Sequence, residues 1–263
     1  MAQVQSTGKP AKTLLTEGLT TIKQLPLGYY HDDGVRRYRY AYIRRAVVGA
    51  PSLFGTVLKK GTANYNDLLS GHFRSASTGY GGSVGDVKVR LYSAIFLSAN
   101  LAEQAKYEDG FLDVRSGTGG GGSYQIDHYD AGRTAKTNML YLKDPIILAL
   151  GTGTRVAQLR TNPYWGLISG GNIRRSGTSK PMGAALFSAT ISAGYGFIQT
   201  KGPGIGMVRS ALVSGRIVGC FSSILTPAWR SAGIVACGLT EIGNLIGRSS
   251  GAGQYTSVDW NFE

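Results

Sequence analysis

Asp127, His128 and Asp130 bring one imidazole and two carboxylates close together in the chain. A trio of this kind suggests acid–base chemistry or a metal ligand set. Neighbours at i and i+1 point to opposite faces of a strand, so only His128 and Asp130 are expected to share a face. One His and one carboxylate do not make a catalytic centre without a nucleophile elbow, a His-x-x-x-His pair or a paired Cys motif. Ser116-Gly-Thr-Gly-Gly-Gly-Gly-Ser123 suggests a phosphate loop, but that loop needs Gly-Lys-Ser/Thr opening a helix. Tyr124 to His128 reads as a strand, so the glycine run is predicted to be a hairpin tip. Cys220 and Cys237 sit among small apolar residues, with no Cys or His at metal spacing. They read as two buried thiols, and a disulfide between them stays open. The chain is expected to be no enzyme and to carry no cofactor and no metal.

The strongest chemical signal is basic. Arg36, Arg37, Arg39, Arg44 and Arg45 crowd one segment, interleaved with Tyr38, Tyr40 and Tyr42, in a chain of net charge +13. A bias of that size points to nucleic acid, an anionic membrane or an acidic protein surface. In a strand from Val35 to Ile43, Arg37 and Arg39 share one face and the three tyrosines share the other. Arginine binds phosphate and tyrosine stacks on bases, but a nucleic-acid surface would hold both on its exposed face. The alternation therefore favours a half-buried strand whose arginines meet acidic groups on a neighbour. Nucleic acid is kept as the weaker partner. No run reaches the roughly 18–20 apolar residues of a membrane helix. Met1 to Thr13 has no apolar stretch of the signal-peptide kind, so synthesis in the cytoplasm is expected.

The elements that would position these residues are strands. Thirty-nine glycines in 263 residues point to many turns. Asp33-Gly34 reads as a hairpin turn. Val87, Val89 and Leu91 alternate with Lys88, Arg90 and Tyr92 as in a half-buried strand. Tyr195 and Phe197 share one face of a core strand that Gly202-Pro203 is expected to end. Ile146 to Leu150 reads as a strand after a kink at Pro145. Asn64 to Leu69 reads as a short helix or loop, and Asn100 to Tyr107 as a short helix. Leu239, Ile242, Leu245 and Ile246 approach a helical period. Short strands separated by Gly-rich turns predict an all-β fold, mainly an antiparallel sandwich or barrel with few short helices. Residues 1–24 are expected to form an extended N-terminal arm. Residues 25–263 are expected to form a β-rich domain, with two subdomains left open and no boundary legible.

Tyr195-Gly-Phe-Ile-Gln-Thr-Lys-Gly-Pro203 resembles a block in virion structural proteins of tailed bacteriophages, a group that includes capsid decoration, or cement, proteins. Matching pieces follow the same order. They are Arg36 to Tyr42, the glycine-rich Gly110 to His128, Lys143-Asp144-Pro145, Asn162-Pro163-Tyr164 and the closing Ser257-Val258-Asp259-Trp260-Asn261-Phe262. The resemblance implies a virion component on the capsid and no chemistry. It makes a decoration protein the leading expectation, bound to major capsid or other virion proteins. The major capsid protein itself and a basic nucleic-acid-binding protein are the alternatives. Cyclic symmetry would favour a homo-oligomer, a trimer matching local threefold points. On this reading Arg36, Arg37, Arg39, Arg44, Arg45, Tyr38 and Tyr40 form a subunit interface.

Overall fold

The computed structural model describes residues 11–15, 18–45, 57–60, 66–70, 81–91, 105–130, 138–151, 154–169, 181–186, 193–208, 215–219, 229–231, 240–246 and 254–263. His72, Cys220, Cys237 and the first ten residues of the expected arm lie outside them. The fold is all-β and almost wholly antiparallel. It divides into two units, Met1–Thr62 with Tyr164–Glu263, and Ala63–Pro163. The first unit holds α1 (Ala11–Leu14), β1 (Tyr30–Asp32), β2 (Arg37–Arg45) and β3 (Val57–Lys60). The second holds β4 (Asn66–Ser70), β5 (Lys88–Leu91), β6 (Phe111–Gly117), β7 (Ser123–Asp130), β8 (Asn138–Leu142) and β9 (Thr154–Arg160). The chain then returns to the first unit with β10 (Leu167–Ser169), β11 (Pro181–Ala185), β12 (Gly194–Val208) and β13 (Gly215–Gly219). It ends there with β14 (Trp229–Ser231), β15 (Thr240–Leu245) and β16 (Gln254–Asn261).

In the first unit the sheet closes on itself. β2 pairs with β10, β10 with β3, β3 with β11, β11 with β12, and β12 with β2. Closure removes the free edges of these strands. Each strand sends apolar side chains into one cluster: Ala41 and Ile43, Leu167, Leu58, Ala185 and Ile198. The opposite face of β2 and β12 is aromatic. Phe197 lies across from Tyr40 and Tyr195 across from Tyr42. The period of two thus divides β12 into Ile198 inside the ring and Tyr195 and Phe197 on its outer face.

β12 does not end at Gly202-Pro203. It runs on to Val208, and its second half pairs with β16 from Lys201↔Asn261 to Val208↔Gln254. The break expected from Pro becomes a bend with a register shift between Gln199 and Lys201. Gln199 holds the bend. Its buried Nε2 donates to the carbonyls of Lys201, Gly202 and Pro203 at 3.2, 2.9 and 3.0 Å. β12 is thereby shared between the ring and the outer strands β16, β15, β13 and β14.

The segment before β1 is attached to this unit. Thr20 exchanges backbone hydrogen bonds with Tyr195, and Leu14, Leu19, Leu25 and Leu27 are buried. The expected limit of the arm at residue 24 is therefore not a limit of packing, because apolar side chains spaced along the arm find the core. The segment Gly238 to Arg248 contains the strand β15 where a helical period was expected. Gly243 sits there at φ +149, and a Cβ would lie 2.1 Å from the Asp259 carbonyl, so the position favours glycine against β16.

The second unit is a six-stranded antiparallel sheet in the order β4-β9-β6-β7-β8-β5. Leu112 and Val114, Tyr124 and Ile126, Leu140 and Leu142, and Ala157 and Leu159 pack together in its core, alternate residues from four strands. Asn66–Ser70 is a strand on β9 where a helix or loop was expected. Ala105–Tyr107 is a single 3-10 turn. Ile146–Leu150 is a loop and not a strand. Its amides bond Gly82 and Asp86 singly, burying Ile146 and Leu150 and leaving Ile147 and Leu148 outside. Three of the sequence blocks meet at buried Asp109, which adopts φ 59. Lys143 Nζ donates to its carboxylate at 2.7 Å, Asn162 Nδ2 donates to its carbonyl at 2.9 Å, and Gly110 follows it in the turn.

Asp113 on β6 accepts from Arg160 Nε at 2.9 Å and from Ser123 Oγ at 2.7 Å. Burial would raise its carboxyl, but these two hydrogen bonds outweigh burial and hold it below its ordinary value. A depressed folded value contributes stability above the unfolded value, about pH 4, which is lost as pH falls through the folded one. Asp113→Asn is expected to lose stability at neutral pH and to lose less than the parent on acidification. Denaturation midpoints between about pH 5 and pH 2 measure this. Parallel profiles would reject the assignment.

Candidate interface on the arginine hairpin

The hairpin β1–β2 positions the arginines, and its turn is built from carboxylates. Asp32 Oδ1 accepts from the Gly34 amide at 2.8 Å. Asp33 Oδ1 accepts from the amides of Val35 and Arg36 at 3.0 and 2.6 Å. Gly34 takes φ +87, which the Asp-Gly pair supplies at little cost. The Arg36 amide, followed by the Val35 amide and the Tyr38 hydroxyl, keeps the Asp33 carboxyl below its usual range.

Arg37 is held within the chain. Its Nε donates to Asp32 Oδ2 at 3.2 Å and its Nη1 to Glu263 Oε2 at 2.8 Å. The Tyr30 hydroxyl also donates to Asp32 Oδ2 and is the largest influence lowering that carboxyl. Arg39 lies opposite Tyr30 in the ladder, with its guanidinium 4.6 Å from that ring and 5.9 Å from the Tyr164 ring. Its Nη1 donates to the Gly28 carbonyl at 3.1 Å. Arg36 and Arg44 are exposed, and the Arg45 side chain lies outside the described residues.

Tyr38 and Tyr40 are 4 % and 1 % exposed, so neither is a contact surface for another subunit. They belong to the aromatic layer of their own chain. Tyr40 packs edge-on to Phe197 at 5.3 Å and its hydroxyl accepts from the Gln24 amide at 3.1 Å. Burial is the main reason its hydroxyl is pushed above its ordinary value. Residues 24 to 31 cover the stripe, with Tyr29 and His31 each 6.4 Å from Phe197. The reason is geometric: the tyrosines face away from the ring interior, and the chain's own preceding segment fills that side. The structure thus separates Arg36 and Arg44, turned to solvent, from Arg37, paired with two carboxylates, and Arg39, which is held by the Gly28 carbonyl and two rings while its buried Nε has no hydrogen-bond partner.

Asp127 and His128 do meet, contrary to strand alternation. Their Oδ2 and Nδ1 lie 2.9 Å apart. A register shift between Ile126 and His128 in the β7–β8 ladder turns the neighbours toward each other. His128 also stacks on Tyr141 at 4.3 Å, and both partners of the His–Asp pair are exposed. Among the described residues no group of three or more His, Cys, Asp or Glu could hold a metal. The glycine run is the tip of the β6–β7 hairpin, closed by Gly120 to Gly117 and Gly122 to Gly119 hydrogen bonds.

Sequence reasoning missed a cleft beside the hairpin. It has a volume of about 430 Å³ and lies between the β1–β2 turn and the solvent face of β12, β16 and β15. Its signal was present in the closing strand, where exposed Ser257, Asp259 and Asn261 alternate with buried Val258, Trp260 and Phe262. Comparison with known protein families, curated proteins and solved structures finds no match to this chain.

Proposed function

We propose that this chain is a non-enzymatic structural component of a bacteriophage virion, a capsid decoration protein that binds neighbouring capsid subunits. The blocks quoted above support the reading through their resemblance, and one structural observation carries it further. Val84, Val87, Ile147 and Leu148 are all exposed, at 66, 47, 69 and 44 %. They stand on two loops of the second unit that are laced together by backbone bonds. Gly85 donates to Ile146, Ile146 to Asp86, and Leu142 to Val87, each at 2.8 Å. Single exposed aliphatics are ordinary, but four on adjoining, hydrogen-bonded loops suit a surface that another protein covers. The mechanism is adhesion: many such contacts across neighbouring subunits add to shell stability. Trimers at local threefold points are the oligomer this reading expects.

Quantitative mass spectrometry of purified virions of the encoding phage tests the proposal. The chain is expected at a fixed copy number per particle. Val87→Asp with Ile147→Asp should reduce incorporation roughly tenfold or more, because a charge would be desolvated at the contact. The melting temperature of the free protein should stay unchanged. Particles without the chain, or undiminished incorporation of the folded double variant, would reject the reading.

A further inference from the structure

The cleft in the first unit is a second surface, independent of the capsid reading and on different residues. Its floor is the solvent face of three adjacent strands. In the ladder Pro203 lies opposite Asp259, and Asp259 opposite Asn244; Lys201 lies opposite Asn261. All five of these side chains are exposed. The wall is the β1–β2 turn, with Asp32, Gly34, Val35 and Arg37. Val35 is 66 % exposed beside this polar floor.

Two properties narrow the ligand. The first is charge. Asp32 and Asp259 balance Arg37 and Lys201, and Glu263 holds Arg37 from behind. A phosphate or nucleic-acid backbone would meet two carboxylates at close range, which opposes anion binding. Two carboxylates from separate strands, in a lining that also holds Arg37 and Lys201, make a poor cation site. The second property is chemistry. The lining is rich in planar groups that each offer two polar atoms: the carboxylates Asp32 and Asp259, the carboxamides Asn244 and Asn261, and the Arg37 guanidinium. Adjacent hydroxyls on a sugar ring act as donor and acceptor together and match such paired groups. Val35 and Pro203 supply apolar surface for the ring's C–H face. The wall is set in advance, because Asp32 is fixed by Tyr30, Gly34 and Arg37 before any ligand arrives. The volume lies inside the range of small-molecule sites, roughly 300–1,000 Å³.

We propose that the cleft between the β1–β2 turn and the Lys201–Asn261 and Pro203–Asp259–Asn244 rows binds a neutral oligosaccharide. Asp259 and Asn261 supply the paired acceptors and donors of the floor, and Val35 and Pro203 pack on the sugar's C–H face. No covalent step is involved.

The full chain is to be tested on an array of neutral hexose and N-acetylhexosamine oligosaccharides, sialylated and sulfated glycans, polyphosphate and a DNA duplex. The strongest neutral glycan is then titrated by calorimetry. Neutral oligosaccharides are expected to bind in preference to the anionic probes. Asp259→Ala and Asn261→Ala should each weaken binding roughly tenfold or more, since each removes hydrogen bonds to the ligand. Both sites are exposed, so the melting temperature checks that folding is kept. Arg44→Ala, outside the cleft, should leave binding unchanged. No neutral binding up to about 10 mM, far weaker than a specific site requires, would overturn the proposal. So would binding that the cleft variants leave intact, or a preference for sulfated glycans, polyphosphate or DNA.

Discussion

Phe197→Ala is expected to destabilise the first unit by about 3–5 kcal/mol, the usual loss for a large aromatic removed from a packed core. Phe197 is 2 % exposed and meets three rings, Tyr29 at 6.4 Å, His31 at 6.4 Å and Tyr40 at 5.3 Å. All three contacts are edge-on, the arrangement aromatic quadrupoles favour. Tyr29 and His31 belong to the segment that covers the stripe, so the variant also loosens the base of the arginine hairpin. Domains are stable by only about 5–15 kcal/mol, and a loss of this size is a large share of that total. Urea denaturation followed by tryptophan fluorescence measures it. A midpoint within error of the parent would show that Phe197 is not part of a packed layer. A companion change, Tyr29→Ala, should cost less, because Tyr29 is 41 % exposed.

Gly202→Ala is expected to cost about 2–5 kcal/mol, the sum of left-handed strain and overpacking. Gly202 has φ +89, and a Cβ there would lie 2.3 Å from the Val35 carbonyl oxygen and 3.1 Å from the Arg36 Cα. Both are backbone atoms, so neither can swing aside. The control is built into the same hairpin. Gly34 has φ +87, but a Cβ there meets nothing within 4 Å. Gly34→Ala therefore carries the strain alone, about 1–2 kcal/mol. The difference between the two variants isolates the close approach of the β12 bend to the β1–β2 turn. Equal losses would mean that the bend and the turn are not in contact. Both positions line the cleft, and the backbone shift forced by Gly202→Ala is also expected to change its shape.

Much of the first unit was legible as local physics. Asp33-Gly34 specified its turn because the Asp carboxylate satisfies the following amides and glycine accepts positive φ. Alternation in β2 put Tyr38, Tyr40 and Tyr42 on one face and Arg37 and Arg39 on the other, because side chains reverse face at every residue, but it did not say that the tyrosine face is covered by the chain itself. Glycine content and short apolar runs determined that the fold is all-β.

What the sequence could not decide depended on atoms far apart in the chain. The strand through Pro203 survives because a buried Gln199 amide satisfies three carbonyls and β16 arrives beside it. A local rule for Pro cannot include either partner. Arg37 looked unmatched because one of its carboxylates, Glu263, lies 226 residues away. The tyrosine stripe needed the course of residues 18–31 before it could be placed inside the chain. Asp127 and His128 meet where the β7–β8 ladder shifts register, which regular alternation does not foresee. The boundary between the two units and the pairing order of β2, β10, β3, β11 and β12 were likewise not legible, although two subdomains and a barrel were among the expectations. Periodicity says which face of a strand is buried, but pairing is set by which distant strand offers a complementary edge.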